Sequence, residues 1–277
     1  MKVGPYTLDL SALEVRKGAR ILVQLPEGLM GYADIIAEEI ERRSGGEAAI
    51  YHDPTYGACD IPMWMLDAGY DLIVHVGHSP MPSLEQGGVL FVEARMEMLD
   101  IRGLDELDAV LEGLDPGVVA ITATVQYLDL IEPLKDWLEE RRTTVLLNAG
   151  TTRTAHRGQV LGCNFSAARG GDAVLFIGSG RFHPIGIHRS TGRDVVCYNP
   201  ATGEASLLRK EEVENFVRKR WSAIARASEA KSSLGSERRS ICPSSSLALP
   251  TASPLSCKRS NWGRMAAFAS PTAPLSS

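Results

Sequence analysis

The sequence predicts an α/β protein made of tandem, duplicated small domains, each with a parallel sheet. Two observations predict this, and a third limits it. Apolar strand-like runs alternate with amphipathic helical segments as far as residue 199. One strand-and-turn pattern occurs twice, with Asp71 and Asp172 at matching positions 101 residues apart. The alternation fails after residue 230, where a Ser- and Pro-rich stretch begins.

Taken in order, ARILVQL (19–25) reads as a strand and YADIIAEEIERR (32–43) as a helix with Ile35, Ile36 and Ile40 on one face. AAIYHD (48–53) is a strand, IPMWML (61–66) a short helix, DLIVHVG (71–77) a buried strand and VLFVEAR (89–95) a fourth strand. The order restarts after the helix LDELDAVLEGL (104–114). GVVAITA (117–123) is a strand, LDLIEPLKDWLEERR (128–142) a helix, and TTVLLNA, DAVLFIG and DVVCYN are strands ending the second unit near residue 199. In both units an Asp leads a Gly by six residues through an apolar strand, Asp71 to Gly77 and Asp172 to Gly178. A His- and Pro-containing turn follows each, with His78 and Pro80 in one and His183 and Pro184 in the other. Internal duplication of a unit near one hundred residues long accounts for this, and chance likeness of two ordinary α/β units is the alternative.

The expected domains are 1–100, 101–206, a helix at 207–230 that begins an incomplete third domain, and a disordered tail at 231–277. KEEVENFVRKRWSAIARASEA (210–230) is amphipathic, but no apolar strand follows it. The tail holds 13 Ser, 5 Pro and no Val in 47 residues, and its net charge is +5 against −10 for the first 230. Its sparse Leu and Phe cannot offset a backbone ordering entropy of about 1–2 kcal/mol per residue. A third unit displaced by an altered reading frame or a divergent end is the expectation this break raises.

The chain has 277 residues, a net charge of −5 and a pI near 5.7, which argues against a nucleic-acid partner. No apolar run approaches the ~20 residues of a membrane span, and the N-terminus lacks the apolar core of a secretory signal. Five scattered cysteines make no disulfide framework, so a reducing cytoplasm is the expected compartment.

Two of those cysteines occupy matching places. Cys59, in DPTYGACD, lies twelve residues before Asp71; Cys163, in GQVLGCNF, lies nine before Asp172. Each falls in a Gly-containing turn ahead of a short helix. Buried packing is one role for such a thiol. A nucleophile or metal ligand, with its pKa lowered at a helix N-terminus, is the other. Loops beyond the carboxyl ends of parallel strands carry functional sites, and two thiols facing each other there would suit a metal.

The stretches VQLPEGL, DPTYGACD, HVGHS, GQVLGC and GSGRFHP, in that order, resemble the archaeal diphthamide-biosynthesis enzyme family, 2-(3-amino-3-carboxypropyl)histidine synthase. The resemblance covers residues 1 to 230. It implies three similar domains, each lending one cysteine to a single [4Fe–4S] cluster, in a cytoplasmic homodimer served by an electron donor. By motif Cys59 and Cys163 match two ligands of the cluster and of the bound cofactor. No motif matches the third, and Cys242 and Cys257 stand in the tail without the right context. The implied reaction moves the 3-amino-3-carboxypropyl group of S-adenosylmethionine to a histidine of translation elongation factor 2 by a radical route. The C-x-x-x-C-x-x-C run of ordinary radical enzymes is absent, and ligands from separate domains would replace it.

Other residues carry two readings each. His78 and His183 either line the site or orient their loops through backbone hydrogen bonds. His75, inside a strand, reads as a satisfied core histidine, and Cys197, in DVVCYN, as core packing. Gln24 either touches ligand or satisfies its turn. GSGRF (178–182) offers backbone N–H groups to an anion but lacks the residues of a P-loop or a dinucleotide fingerprint. Two rival functions remain: a zinc site of Cys59, Cys163, His78 and His183, and a catalytically inactive family member that acts as a binding subunit.

Overall fold

The computed structural model describes residues 1–84, 87–97 and 101–237. The chain opens with a hairpin of β1 (Lys2–Val3) and β2 (Tyr6–Leu8). A four-stranded sheet follows, made of β3 (Arg20–Gln24), β4 (Glu47–Ile50), β5 (Leu72–Val76) and β6 (Val89–Val92), all parallel in the order β4-β3-β5-β6. Helix α1 (Ala33–Ser44) connects β3 to β4, and the four-residue α2 (Trp64–Asp67) precedes β5. The expected strand at 89–95 is broken at Glu93. Beyond it, β7 (Ala94–Met96) leaves the parallel sheet and pairs antiparallel with β2, closing a small third sheet β1-β2-β7.

The second sheet repeats the first. After α3 (Leu104–Leu114) come β8 (Val118–Ala123), α4 (Ile131–Glu140), β9 (Thr144–Leu146), β10 (Ala173–Ile177), α5 (Phe182–Thr191), β11 (Asp194–Asn199) and β12 (Glu204–Leu207). Their order is β12-β11-β10-β8-β9, with only β12 antiparallel. Setting β12 aside, both sheets place their second strand in sequence at one edge, then the first, third and fourth. The repeated Asp has the same work in each. Asp71 accepts the N–H of Arg20 at the start of β3 (2.8 Å), and Asp172 accepts that of Val118 at the start of β8 (2.9 Å). The repeated Gly also matches: Gly77 N–H donates to Val92 at 2.8 Å and Gly178 N–H to Tyr198 at 2.9 Å. Gly77, at φ 98°, also sits where a Cβ would meet the Pro26 ring, so glycine is required there.

Burial explains the strand composition. In β10, Leu175 and Ile177 enter one cluster with Leu134, Val196 and Tyr198, while Val174 and Phe176 enter another with Ile187, Val195 and Cys197. A strand covered on both faces reads as a continuous apolar run. The first sheet packs Ile21, Val23, Val74 and Val76 against Ile36 and Ile40 of α1. Ile35 does not share that face. It is 55% exposed, because the buried positions of α1 step by three and four through Ala33, Ile36, Ala37 and Ile40.

Met1–Trp221 form one compact unit that holds all three sheets, and the described residues after it, 222–237, continue as helix. Helix α6 runs Lys210–Glu237, past the expected end at residue 230. The remainder of the expected tail, with Cys242 and Cys257, lies outside the described residues. Among the described residues no helix is long and apolar enough to cross a membrane.

Candidate functional site

The carboxyl ends of both parallel sheets open onto one cavity of about 510 Å³ within Met1–Trp221. Its wall takes Tyr56 to Cys59 from the loop after β4, His78 and Ser79 from the loop after β5, and Thr124 to Gln126 from the loop after β8. Gln159 to Cys163, after β9, and Phe182 and His183, after β10, complete it. Loops at this end of parallel strands hold ligand sites because successive crossovers splay apart there. Cys59, Cys163, His78 and His183 thus all line one space.

Both cysteines are free and exposed, and each stands at the third position of a four-residue turn. Asp60 N–H donates to Gly57 at 2.9 Å, which places Ala58 and Cys59 at the corner. Asn164 N–H donates to Leu161 at 3.1 Å, which places Gly162 and Cys163 at the corner. This corrects the expectation of a helix N-terminus. Helix α2 begins at Trp64, five residues after Cys59, and Cys163 is followed by a single 3-10 turn at Ser166–Ala168. The turn, not a helix dipole, presents each thiol.

Side chains behind the wall hold these turns in place. Gln24, at the end of β3, is 2% exposed and donates from Nε2 to the Asp60 carbonyl at 2.6 Å, pinning the residue next to Cys59. Its Oε1 accepts from Nδ1 of His75 at 2.8 Å, and Nε2 of His75 lies 3.0 Å from Nδ1 of His78. Gln24 therefore braces the turn of Cys59 and not its own, and His75 is a fully buried core histidine with both nitrogens bonded. Burial pushes the pKa of His75 down to about 3 and that of His78 down to about 4, so both rings are neutral near pH 7. On the other side, Gln159 donates from Nε2 to Ser79 Oγ at 2.8 Å and accepts the N–H groups of Ala155 and His156 on Oε1. Next to it Glu93 accepts from His156 at 2.5 Å and from Arg95 at 2.6 Å, and Arg95 also reaches Asp129 at 3.1 Å.

His183 does not stand in a turn. It lies in the first turn of α5, where Pro184 is tolerated because no backbone N–H is needed there. Its ring stacks on Phe176 at 5.7 Å, and burial lowers its pKa to about 4. Cys197 is 7% exposed in mid-strand, and burial pushes its thiol up to about 11, the behaviour of a packing residue. The GSGRF segment divides between two cavities: Phe182 lines the one that holds Cys59 and Cys163, while Gly178, Gly180 and Arg181 border a smaller one of about 120 Å³, where Arg181 bonds Ser206 and lies 3.4 Å from Glu212.

Among the described residues no group of three or more His, Cys, Asp and Glu side chains is placed to hold a metal ion. The zinc reading needs its four residues around one point, and they share a wall without converging. A thiolate-bound cluster spans a larger space, and two exposed thiols on turns over an open cavity fit two of its ligands.

Comparison with known proteins identifies the family. The family model for diphthamide synthesis proteins matches residues 25–235. The chain is 35% identical over 229 residues to 2-(3-amino-3-carboxypropyl)histidine synthase of Pyrococcus horikoshii, covering 82% of this chain and 66% of that protein. It is 33% identical to subunit 1 of the corresponding synthase of Encephalitozoon cuniculi, covering 61% of this chain and 48% of that one. Among solved structures, Dph2 from Pyrococcus horikoshii with a 4Fe-4S cluster matches with a TM-score of 0.64 at 33% identity, over 76% of this chain and 61% of that chain. The chain therefore spans under two thirds of the length of each of these relatives. By the match over residues 25–235, this chain belongs to the diphthamide synthesis protein family.

Proposed function

We propose that this chain takes part in transferring the 3-amino-3-carboxypropyl group of S-adenosylmethionine to a histidine of translation elongation factor 2, the first step of diphthamide formation. The observation that carries the reading is the pair of exposed thiols, presented by matching turns of two like-ordered sheets onto one cavity. Cys59 and Cys163 would hold a [4Fe–4S] cluster, together with a third thiolate that the described residues do not supply. When bound, such a cluster supplies one electron for cleaving the sulfonium bond to the amino-acid chain, by a radical route.

The rest of the site suits holding and shielding. Met81, Val125 and Val160 give the cavity buried apolar walls that keep water from a reactive species. The Gln24–His75–His78 chain and the Ser79–Gln159 bond fix the loops that carry the thiols. We assign the protein substrate to the exposed side, where Tyr56 and Phe182 are 86% and 51% accessible at the cavity edge. The reading also takes in two domains divided near residue 100, a homodimer, a cytoplasmic setting and an external electron donor.

The test is transfer of label from carboxyl-labelled S-adenosylmethionine to elongation factor 2 by the anaerobically reconstituted chain with dithionite. Label on the factor, lost in Cys59→Ser and Cys163→Ser, supports the reading. Binding of the factor without label would favour an inactive partner subunit instead.

A further inference from the structure

His78 meets the cavity with its ring hydrogen fixed from behind. The Asp60 carbonyl can only accept, so the atom of Gln24 that lies 2.6 Å from it must be the amide nitrogen. The amide oxygen of Gln24 then faces His75, and Nδ1 of His75 donates to it at 2.8 Å. A neutral ring has one hydrogen, so Nε2 of His75 is an acceptor, and His78 must donate to it from Nδ1 at 3.0 Å. His78 in turn has no hydrogen left for Nε2, which carries a lone pair. Burial keeps both rings in this neutral form, holding His75 down to about 3 and His78 to about 4.

The lining makes this atom selective. Among the described residues no Asp, Glu, Lys or Arg borders the cavity. A desolvated ammonium entering it finds no carboxylate among the described lining residues, the nearest named one being Asp60 behind the turn of Cys59, and needs a neutral acceptor, because an unpaired buried charge is costly. Hydroxyls such as Thr124 can turn to donate or accept, so they do not distinguish the two ends of an amino acid. A lining histidine whose Nδ1 hydrogen is held by His75 does: the free Nε2 lone pair accepts from a donor and repels a carboxylate.

We infer that His78 is a ligand-binding residue that orients the cosubstrate, with Nε2 accepting a hydrogen bond from the α-ammonium of S-adenosylmethionine. This rests on the aminocarboxypropyl reading above and adds a residue to it. In this role His78 sets which end of the amino-acid moiety enters first; it takes no part in bond cleavage.

Two measurements on the full 277-residue chain, reconstituted anaerobically, test it. The first compares calorimetric binding of S-adenosylmethionine with that of its analogue lacking the α-amino group, in the wild type and in His78→Phe. The wild type should prefer the amino-bearing ligand by about tenfold or more, the scale of a hydrogen bond to a charged group, and the variant should bind both alike. Full preference retained in His78→Phe would overturn the inference while leaving the aminocarboxypropyl reading intact. No binding of either ligand to the wild type would overturn both. The second is nitrogen-15 imidazole NMR of the wild type, which should show His78 protonated at Nδ1 and bare at Nε2. A proton on Nε2 near pH 7 would overturn the inference whatever the variant does.

Discussion

Gln159 donates to Ser79 across 2.8 Å, and the two residues, eighty positions apart in the chain, are 1% and 2% exposed. The bond ties the loop after β5 to the loop that leads into Cys163, so it joins the first half of the cavity to the second. Gln159→Leu removes one partner of the buried Ser79 hydroxyl, which keeps its bond to Glu93, and the acceptor of the Ala155 and His156 N–H groups, which lie nearer solvent. The expected cost is about 1–3 kcal/mol, read as a lower urea midpoint with an unchanged slope.

A pH dependence follows from the three buried histidines. His75, His78 and His183 have folded pKa values pushed down to about 3, 4 and 4 from an ordinary 6.5, with desolvation the leading cause of each. Below pH 6.5 the unfolded chain binds protons that the folded chain refuses, so stability is full above pH 6.5 and falls as the pH drops toward 4. The slope for each fully responding histidine is about 1.4 kcal/mol per pH unit. Urea midpoints should therefore fall between pH 7 and pH 5, and a His183→Phe variant should show a shallower fall. An unchanged midpoint over that interval would contradict the neutral assignment.

Thiol chemistry should separate the cysteines. Brief native treatment with iodoacetamide should modify Cys59 and Cys163, which are exposed, and spare Cys197, which is buried with its thiol pushed up to about 11. Mass spectrometry of peptides before and after adding denaturant gives the comparison, with Cys197 reacting only after unfolding.

Much of the site was legible in the sequence because the repeat is local. The runs from Asp71 to Gly77 and from Asp172 to Gly178 each hold a whole strand and the turn that follows it, although the bonds of the Asp side chains reach back to Arg20 and Val118. Cys59 and Cys163 stand at like distances before them, and the structure brings both to one wall with His78 and His183. What escaped is non-local or weakly patterned. Strands β1 and β2 are two and three residues long, and β2 finds its partner at Ala94–Met96, far along the chain. Helix α5, FHPIGIHRST, carries Pro and Gly inside and shows little periodicity. The Glu93–His156 and Ser79–Gln159 bonds link residues more than sixty apart, for which a sequence has no local signal.

Ile35 shows the limit of reading adjacent residues as one face. Neighbours on a helix are about 100° apart, so Ile35 and Ile36 cannot both face the core. Ile36→Ala, at a fully buried site, should cost about 2–5 kcal/mol. Ile35→Ala should change stability by no more than about 0.5 kcal/mol. Thermal unfolding of the two variants decides between these placements.

The central claim is that Cys59 and Cys163 belong to one metal centre. Its most direct test is iron and acid-labile sulfide per chain after anaerobic reconstitution, in the wild type, Cys59→Ser, Cys163→Ser and Cys197→Ser. Matched iron and sulfide are expected in the wild type and in Cys197→Ser, with marked loss of both in either of the other variants. Iron retained equally in all four, or zinc bound tightly without sulfide, would contradict it.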